Sequence, residues 1–238
     1  MRSDMSRAVI MAGGEGARLR PFTYAIPKPL LPIGRKPVAQ IIIERLRDHG
    51  FTDIIMTLEY GADLIRAYFQ DGSQFGVNIG YYQEPHKMGT AGCIAHIPSL
   101  RQSAALVTNG DILTRLDYRE MARAHGQSGA ALTVAARTHQ AHIPYGVLSI
   151  DGGRVTSIDE KPRIDYHINA GVYILSPEAL EFIPRDTPSD MTGLINKLAQ
   201  AGREVAAFPF DGAWCDLATA DDFEKAQSEA ALILNSET

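Results

Sequence analysis

A glycine-rich segment near the amino terminus is the first part of the sequence whose residue types suggest chemistry. Gly13, Gly14 and Gly16 directly follow the apolar run at positions 8–11. A glycine loop at the carboxyl end of a first strand offers backbone N–H groups to phosphates. The segment lacks the Lys-Ser/Thr ending of a Walker A loop, and Leu19 stands where a dinucleotide fingerprint needs its third glycine. The pattern therefore favours a phosphate loop of another kind.

Two basic side chains follow this loop. Arg18 comes first, and Lys28 lies between Pro27 and Pro29. Because a residue before proline avoids the α region, we predict an extended, stiff segment that holds Lys28 in place. Arg18 and Lys28 would then present two cations to one triphosphate. On spacing alone, a glycine-rich turn with solvated basic residues is an equal alternative.

Two aspartates each come shortly after a predicted strand. Asp111 ends the run Asn109-Gly110-Asp111, and Asp216 ends Trp214-Cys215-Asp216. Mg²⁺ prefers carboxylate oxygens, and α/β sheets bind ligands at the carboxyl ends of their parallel strands. A single aspartate after a strand is more often a turn or cap residue, and the sequence leaves open whether these two meet.

The elements that would position these residues alternate between strand and helix in the first half of the chain. Short apolar runs predict strands, and apolar residues at helical spacing predict helices between them. The strands are predicted at 8–11, 53–58, 78–82 and 104–108, with helices from 38 to about 50, around 64–69 and at 89–96. Such alternation implies right-handed crossovers and a mostly parallel sheet covered on both faces.

The second half of the chain has more strands and fewer helices. Strands are predicted at 132–135, 146–150, 155–159, 168–175 and 205–210, with helices starting at Ser176-Pro177 and spanning 191–200 and 220–234. We therefore predict one domain over 1–238. Its nucleotide-binding half covers about 8–130, and a more antiparallel half covers about 131–238.

A long motif identifies a family that this sequence resembles. The sugar-phosphate nucleotidyltransferases, which include mannose-1-phosphate guanylyltransferases and glucose-1-phosphate uridylyl- and thymidylyltransferases, share the pattern Gly13-Gly14-x-Gly16-x-Arg18-Leu19-x-Pro21-x-Thr23-x-x-x-Pro27-Lys28-Pro29-Leu30. The resemblance continues to about Asp222. It implies an α/β fold, a Rossmann-like three-layer αβα sandwich with a mixed, mostly parallel sheet and a smaller antiparallel sugar-binding part.

The resemblance also implies roles for individual residues. Arg18, Lys28, Asp111 and Lys161 would be catalytic, and Asp111 and Asp216 would hold Mg²⁺. The nucleotide-binding positions would be Ala12, Gly13, Gly14, Gly16, Glu84, Gly89, Thr90 and Asn109. The sugar 1-phosphate would be held by Gly146, Glu160, Lys161 and Asn169. Ala218 stands where the family usually has glycine after the second aspartate, which leaves the metal ligand in place.

The implied reaction joins a nucleoside triphosphate to a sugar 1-phosphate and releases pyrophosphate. The form Gly89-Thr90-Ala91-Gly92 resembles guanylyltransferases more than thymidylyltransferases, which favours GTP. A uridylyl- or thymidylyltransferase, or a non-catalytic nucleotide-sugar-binding regulatory subunit, is the alternative. A glycosyltransferase would usually carry an Asp-x-Asp metal motif, but Asn109 stands at its first position. The sugar stays open among hexose, amino-hexose and heptose 1-phosphates.

Composition excludes several other classes of protein. The chain has 23 Lys and Arg against 28 Asp and Glu, a net charge of −5, so we expect no nucleic-acid or membrane partner. A homodimer remains open. The two cysteines lack metal or redox spacing, and the polar start at 1–7 has no signal-peptide core. We therefore expect a cytoplasmic protein.

Overall fold

The structure, a computed structural model, describes residues 5–185 and 187–228. The strands in this part of the chain are β1 (Arg7–Met11), β2 (Pro32–Ile33), β3 (Lys36–Pro37), β4 (Asp53–Leu58), β5 (Asn78–Gln83), β6 (Ala105–Asn109), β7 (Ile112–Thr114), β8 (Leu132–His142), β9 (Gly146–Asp151), β10 (Arg154–Glu160), β11 (Arg163–Leu175), β12 (Val205–Phe210) and β13 (Trp214–Asp216). The α-helices are α1 (Val38–Asp48), α2 (Ala62–Phe69), α3 (Gly89–Ala95), α4 (Tyr118–Ser128), α5 (Met191–Gln200) and α6 (Ala220–Ser228).

A seven-stranded sheet in the order β12-β8-β11-β6-β1-β4-β5 forms the centre of the fold. Strand β1 pairs in parallel with β4 and β6, β4 with β5, and β8 with β12. Strand β11 runs antiparallel to both of its neighbours, β6 and β8. The sheet is therefore mixed and mostly parallel, as expected.

Two apolar cores lie on opposite faces of this sheet and make the three layers. Strand β1 alternates between them, because Ala8 and Ile10 enter one core and Val9 enters the other. Helices α1, α2 and α4 pack on the first face, and α3 and α5 pack on the second. These alternating strands and amphipathic helices bury both faces of the sheet and give the predicted αβα sandwich.

The second half of the chain does not form a separate antiparallel layer. Strands β8, β11 and β12 continue the same sheet as β6 and β1, so the two predicted halves share one hydrogen-bonded structure. Among the described strands of the second half, β9 and β10 form a separate hairpin, β13 pairs with β7, and the outer ends of β8 and β11 pair only with each other. The pairing of β11 with β6 is non-local, and periodicity alone does not indicate it.

Two further differences concern helices. No helix is predicted from the sequence over 118–128, where the structure has α4. The segment at Lys28 is not extended, since Lys28–Leu30 forms one 3₁₀ turn that the carbonyl of Pro27 closes. Pro29 is tolerated there because the first residues of a helical turn need no N–H donor. The predicted end of the last helix, at 229–234, lies outside the described residues, as do positions 1–4.

The described helices also bear on membrane insertion. None of those within 5–185 and 187–228 combines the length and apolar character needed to cross a bilayer.

Candidate active site

A pocket opens at the carboxyl ends of β1, β4, β5 and β6. Its walls come from the loops that leave these parallel strands, the usual ligand position of an open α/β sheet. The residues that line it are Met11, Ala12, Gly13, Gly14, Lys28, Pro29, Thr57, Glu59, Glu84, Lys87, Gly89, Thr90, Cys93, Asn109, Gly110 and Asp111. Nine of the residues proposed from the sequence are among them.

The loop after β1 approaches two acidic side chains. A Cβ at Gly13 would lie 2.8 Å from Oε1 of Glu84 and 3.3 Å from Cβ of Glu59, so a larger residue would force the loop away. Oε2 of Glu84 accepts the backbone N–H of Met88 at 3.1 Å. Burial, followed by the nearby charge of Glu59, raises the pKa of Glu84. The loop and the two carboxylates form one wall of the pocket.

Gly16 sets the course of the chain between the glycine loop and Lys28. It has φ 62°, in the left-handed region, and a Cβ there would lie 2.8 Å from Cγ2 of Thr23. The hydroxyl of Thr23 donates to the carbonyl of Gly16 at 2.8 Å. This turn folds the loop back on Lys28, although Gly16 itself does not line the pocket.

Lys28 and Asp111 form an ion pair inside the pocket. Nζ of Lys28 bonds to Oδ2 of Asp111, and Lys28 is only 9% exposed. The backbone of the Asp111 loop is fixed as well, because Gly110 N–H donates to the carbonyl of Met11 at 2.8 Å. The predicted phosphate-binding lysine and the predicted metal ligand therefore meet directly.

A short two-stranded pairing brings Asp216 to the same place. Strand β13 pairs antiparallel with β7, with Asp216 opposite Ile112, and Leu217 N–H donates to the carbonyl of Asp111 at 3.1 Å. Trp214 fixes β13 to the central sheet because its Nε1–H donates to the carbonyl of Ala170 at 2.8 Å. The aspartates, distant in sequence, thus become neighbours at the edge of the pocket.

The charges around Asp111 and Asp216 affect whether these two carboxylates can bind a divalent cation. Burial and then the charge of Asp111 raise the pKa of Asp216, while Lys28 and the exposed Arg18 lower it by smaller amounts. Among the described residues no group of three or more His, Cys, Asp or Glu could hold a metal. Mg²⁺, however, is often held by one or two carboxylates together with substrate phosphates. Two repelling carboxylates with hard oxygen donors fit that ion.

Gly89 and Thr90 link the pocket to helix α5. The hydroxyl of Thr90 accepts the N–H of Met191, the first residue of α5, at 3.0 Å. The carbonyl of Ser189 accepts the N–H groups of Ala91 and Gly92 at 2.9 and 3.0 Å. These bonds hold the start of α3 against the start of α5. Thr90 thus has a structural role in addition to its place on the pocket wall.

The residues predicted for the sugar phosphate lie outside this pocket. Oδ1 of Asn169 accepts the N–H of Gly171 at 2.9 Å, and its Nδ2 donates to the hydroxyl of Tyr173 at 2.8 Å. Gly171 in turn lies beside the side chain of Asn109, which connects Asn169 to the pocket rim. Asn169 sits at an irregularity in the β11–β8 pairing, where its side chain stabilises the backbone.

Three further sugar-side residues lie together on the β9–β10 hairpin. Gly146 pairs with Glu160, and Lys161 follows with its N–H donating to the carbonyl of Tyr145 at 3.2 Å. Lys161 has φ 51°, a left-handed conformation that is uncommon for a residue with a side chain. All three residues are exposed. The structure thus groups them with one another but not with the Lys28–Asp111 pair.

Seven of the residues that line the pocket are not among the site residues proposed from the sequence, and besides Cys93 those with polar or charged side chains are Thr57, Glu59 and Lys87. Glu59 directly follows β4, so its position at the carboxyl end of a predicted parallel strand was a usable signal. Lys87 lies in the loop between β5 and α3, beside Glu84. Cys93 also lines the pocket, but burial raises the pKa of its thiol to about 12, which keeps it protonated at neutral pH.

The sequence of this chain is similar to those of known proteins. The chain is 34% identical to the UTP–glucose-1-phosphate uridylyltransferase of Synechocystis sp., over 92% of this chain and 62% of that protein. It is 31% identical to the mannose-1-phosphate guanylyltransferase of Mycobacterium tuberculosis, over 96% of this chain and 66% of that one. The chain thus spans less than two thirds of the length of these curated relatives.

A solved structure and a family model also match this chain over nearly its whole length. The structure of HddC from Yersinia pseudotuberculosis complexed with GMP-PN superimposes with a TM-score of 0.74 at 29% identity, over 95% of this chain and 100% of that one. The family model described as nucleotidyl transferase matches residues 7–232. With that match over nearly its whole length, the chain belongs to the nucleotidyl transferase family.

Proposed function

We propose that this protein is a Mg²⁺-dependent sugar-1-phosphate nucleotidyltransferase, which forms a nucleotide sugar and pyrophosphate from a nucleoside triphosphate and a sugar 1-phosphate. The observation that carries the proposal is the meeting of Lys28, Asp111 and Asp216 beside the Gly13–Gly14 loop. A cation, two carboxylates and free backbone N–H groups at one sheet edge suit a triphosphate with its metal ion.

The reaction needs positioning and charge neutralisation more than acid–base chemistry. An oxygen of the sugar 1-phosphate attacks the α-phosphorus, forming a new P–O bond, and the bond to the bridging oxygen breaks to release pyrophosphate. A phosphomonoester has its second pKa near 6, so the attacking group is already mostly a dianion at neutral pH. No general base is required.

The chain's own residues supply the neutralising charge. Lys28 lies in the pocket and Arg18 lies near Asp216, so both can contact the triphosphate. Mg²⁺ held by Asp111 and Asp216 would supply the remaining positive charge as the phosphates react. Lys161 would bind the attacking phosphate, with Gly146, Glu160 and Asn169 contacting the sugar. For these sugar-side residues to act in the reaction, the β9–β10 hairpin and the pocket must contact the same pair of bound substrates.

Two acidic side chains on the pocket wall support GTP as the proposed nucleotide. Guanine presents two neighbouring donors, N1–H and the N2 amino group, whereas uracil and thymine present a single N–H on the corresponding edge. Glu84 and Glu59 supply carboxylate acceptors on the pocket wall, and a carboxylate can accept two donors at once. The relative from Y. pseudotuberculosis was crystallised with a guanine nucleotide analogue, which supports the same choice. A uridylyltransferase remains the alternative because the Synechocystis relative uses UTP.

The proposed location is the cytoplasm. Cys93 and Cys215 do not form a disulfide with each other, as is usual for proteins of a reducing compartment.

Pyrophosphate release tests the proposal. The protein would be mixed with Mg²⁺, each of GTP, UTP, dTTP, CTP and ATP, and a panel of hexose, amino-hexose and heptose 1-phosphates. We expect release with one GTP pair, abolished by EDTA and reduced at least ~100-fold by Asp111→Asn. Asp117→Asn is the matched control, because it removes the same charge at the cap of α4, where asparagine caps equally well. Nucleotide-sugar binding without release from any pair would point to the regulatory alternative.

A further inference from the structure

The strand that carries Asp216 is short and lies outside the central sheet. Strand β13 has three residues and forms a two-stranded sheet with β7, which is equally short. Two-stranded ribbons are marginally stable alone in water. All three residues of β13 are only half-buried, so apolar burial contributes little to its position. Other contacts must therefore hold Asp216 beside Asp111.

The indole of Trp214 supplies one of these contacts. Its Nε1–H donates to the carbonyl of Ala170 in β11 at 2.8 Å. Ala170 lies where the pairing of β11 with β8 is interrupted, between Asn169 and Tyr173. Its carbonyl can therefore accept a side chain instead of a neighbouring strand. Trp214 thus joins β13 to the central sheet two residues before Asp216.

Arg137 contacts Trp214 in two different ways. Its Nη1 donates to the backbone carbonyl of Trp214 at 3.0 Å. Its Cζ lies 5.6 Å from the centroid of the indole ring, within the range of a cation–π contact. Arg137 itself lies in β8, opposite Ile168 of β11 and Phe210 of β12, so its backbone is held by strands on both sides. The guanidinium therefore ties both the backbone and the ring of Trp214 to the sheet.

The charge of Arg137 is not used in an ion pair. Within residues 5–185 and 187–228, none of the ion pairs at 4.0 Å or less includes this half-buried arginine. Arginine is the usual residue for partly buried ion pairs, and it also stacks on aromatic rings. The hydrogen bond and the ring contact described for its guanidinium both go to Trp214. The effect of Arg137 is thus directed at β13.

We propose that Arg137 is a positioning residue for Asp216: by holding Trp214, it keeps the Asp216 carboxylate where it and Asp111 can bind one divalent cation. This inference rests on the proposed function, in which both aspartates are ligands of Mg²⁺. A cation held by two protein carboxylates depends on the placement of each. Residues that orient metal ligands commonly change metal affinity about 10- to 100-fold when they are replaced.

Binding of Mn²⁺ without nucleotide, measured by electron paramagnetic resonance of the free ion, tests this role. Arg137→Met removes the charge and the donors but keeps an unbranched side chain. We expect its dissociation constant for Mn²⁺ to rise at least ~10-fold above that of wild type. Arg66→Met is the matched control, because Arg66 is also half-buried and lies 4.7 Å from the ring centroid of Tyr81, away from the proposed metal ligands. It should bind Mn²⁺ as wild type does.

Two further measurements separate positioning from a general loss of stability. Trp214 is the single tryptophan of the sequence, so its fluorescence reports on β13. Acrylamide should quench it more readily in Arg137→Met than in wild type or Arg66→Met. If Arg137 acts through Trp214, Trp214→Phe combined with Arg137→Met should lose no more Mn²⁺ affinity than Trp214→Phe alone, because contacting residues are not additive.

An Arg137→Met variant that binds Mn²⁺ as tightly as wild type would overturn the proposal, as would additive losses in the double variant or an equal loss in Arg66→Met. Thermal unfolding checks that each variant is folded. Arg137→Lys is a second variant, since its compact ammonium cannot replace the planar guanidinium fully and should give an intermediate loss.

The titration also separates this role from the proposed reaction. A wild-type protein that binds no Mn²⁺ would overturn the proposed metal site and the role of Arg137 with it. Mn²⁺ binding that Arg137→Met weakens, in a protein that releases no pyrophosphate, would support the positioning role and contradict the reaction alone.

Discussion

The ammonium group of Lys28 bonds to the carboxylate of Asp111, 83 residues away in sequence, inside the pocket. The lysine is thus the counter-ion of one of the two carboxylates proposed to hold Mg²⁺. A nucleoside triphosphate would offer Lys28 its phosphates and release Asp111. We therefore expect a divalent cation to bind well only together with the nucleotide.

Lys28→Met tests this coupling, since methionine keeps much of the side-chain volume and removes the charge. Without nucleotide, we expect the variant to bind Mn²⁺, used as a probe for Mg²⁺, about 10-fold more tightly than wild type, because Asp111 is no longer neutralised. Pyrophosphate release should fall by at least ~100-fold. Electron paramagnetic resonance of free Mn²⁺ measures the affinity directly.

Lys36→Met is the control for that variant. Lys36 pairs with Glu44 at 2.6 Å on the surface, so the change removes a paired lysine away from the pocket. It should leave the Mn²⁺ affinity as in wild type. If Lys28→Met bound Mn²⁺ no more tightly than Lys36→Met, the counter-ion role of Lys28 would be wrong.

Glu84→Gln should change the preference among bases. Glutamine can still accept the N–H of Met88 with its one side-chain oxygen, but its other terminal atom is then an NH₂ donor where Glu84 has an acceptor oxygen. We expect the ratio of kcat/KM for GTP to that for UTP to fall ~10-fold or more, as one hydrogen bond to guanine is lost. Glu59→Gln, assayed in parallel, shows which of the two carboxylates selects the base. An unchanged ratio in both variants would exclude carboxylate selection of guanine.

Lys161→Ala should affect the sugar 1-phosphate and not the nucleotide. The side chain is exposed on the hairpin, so we expect no more than a small change in melting temperature. Loss of its charge should lower kcat/KM for the sugar 1-phosphate at least ~100-fold while GTP binding, measured by calorimetry, stays constant. Arg163→Ala removes an exposed positive charge nearby and should behave as wild type. Equal losses in the two variants would indicate a general electrostatic effect.

His125 should make stability depend on pH. Its ring nitrogens lie 2.7 Å from the hydroxyl of Thr133 and 3.0 Å from that of Ser176, and it is 4% exposed. Burial lowers the pKa of His125 below its ordinary value of 6.5. As the pH falls through 6.5, His125 therefore binds a proton in the unfolded chain but stays neutral in the folded protein until a lower pH. Stability should decrease there by up to about 1.4 kcal/mol per pH unit, until the folded pKa is reached.

Urea unfolding at pH 5.5 and pH 8 measures this effect. In His125→Gln the amide has both a donor and an acceptor for the two hydroxyls and does not titrate in this range. The difference in unfolding free energy between the two pH values should therefore shrink in that variant. It should persist in His139→Gln, which alters an exposed histidine. An identical difference in wild type and His125→Gln would rule out this residue.

Local patterns in the sequence predicted most elements of the central sheet. The bounds of β4, β12 and α5 agree with the predicted ranges, because each is a short apolar or amphipathic run between clear breaks. Helix α4 was missed because its buried residues, Tyr118, Met121 and His125, are few within a polar segment. Its cap was visible, since Asp117 followed by Glu120 at the third position is a helix-start pattern.

Less of the candidate site than of the central sheet could be predicted from the sequence. The glycine loop, Lys28 and Asp111 are identified by motif, but the meeting of Asp111 with Asp216 depends on the β7–β13 pairing between distant segments. The local backbone at Lys28 also differs from the prediction. A residue before proline avoids the α region on average. The turn at Lys28 is instead fixed by its ion pair with Asp111 and by the contact of Pro27 with the backbone of Gly61.

The central position of β11 has a consequence for synthesis of the chain on the ribosome. Strands β1, β4, β5 and β6 are all made before residue 110, but the edge of β6 is completed only by β11, which begins at residue 163. Until then the nascent chain exposes the unpaired N–H and C=O groups of a buried, apolar strand. The nascent chain thus passes through a stage in which an unpaired edge could join another chain, and fast synthesis of residues 110–175 shortens that exposure.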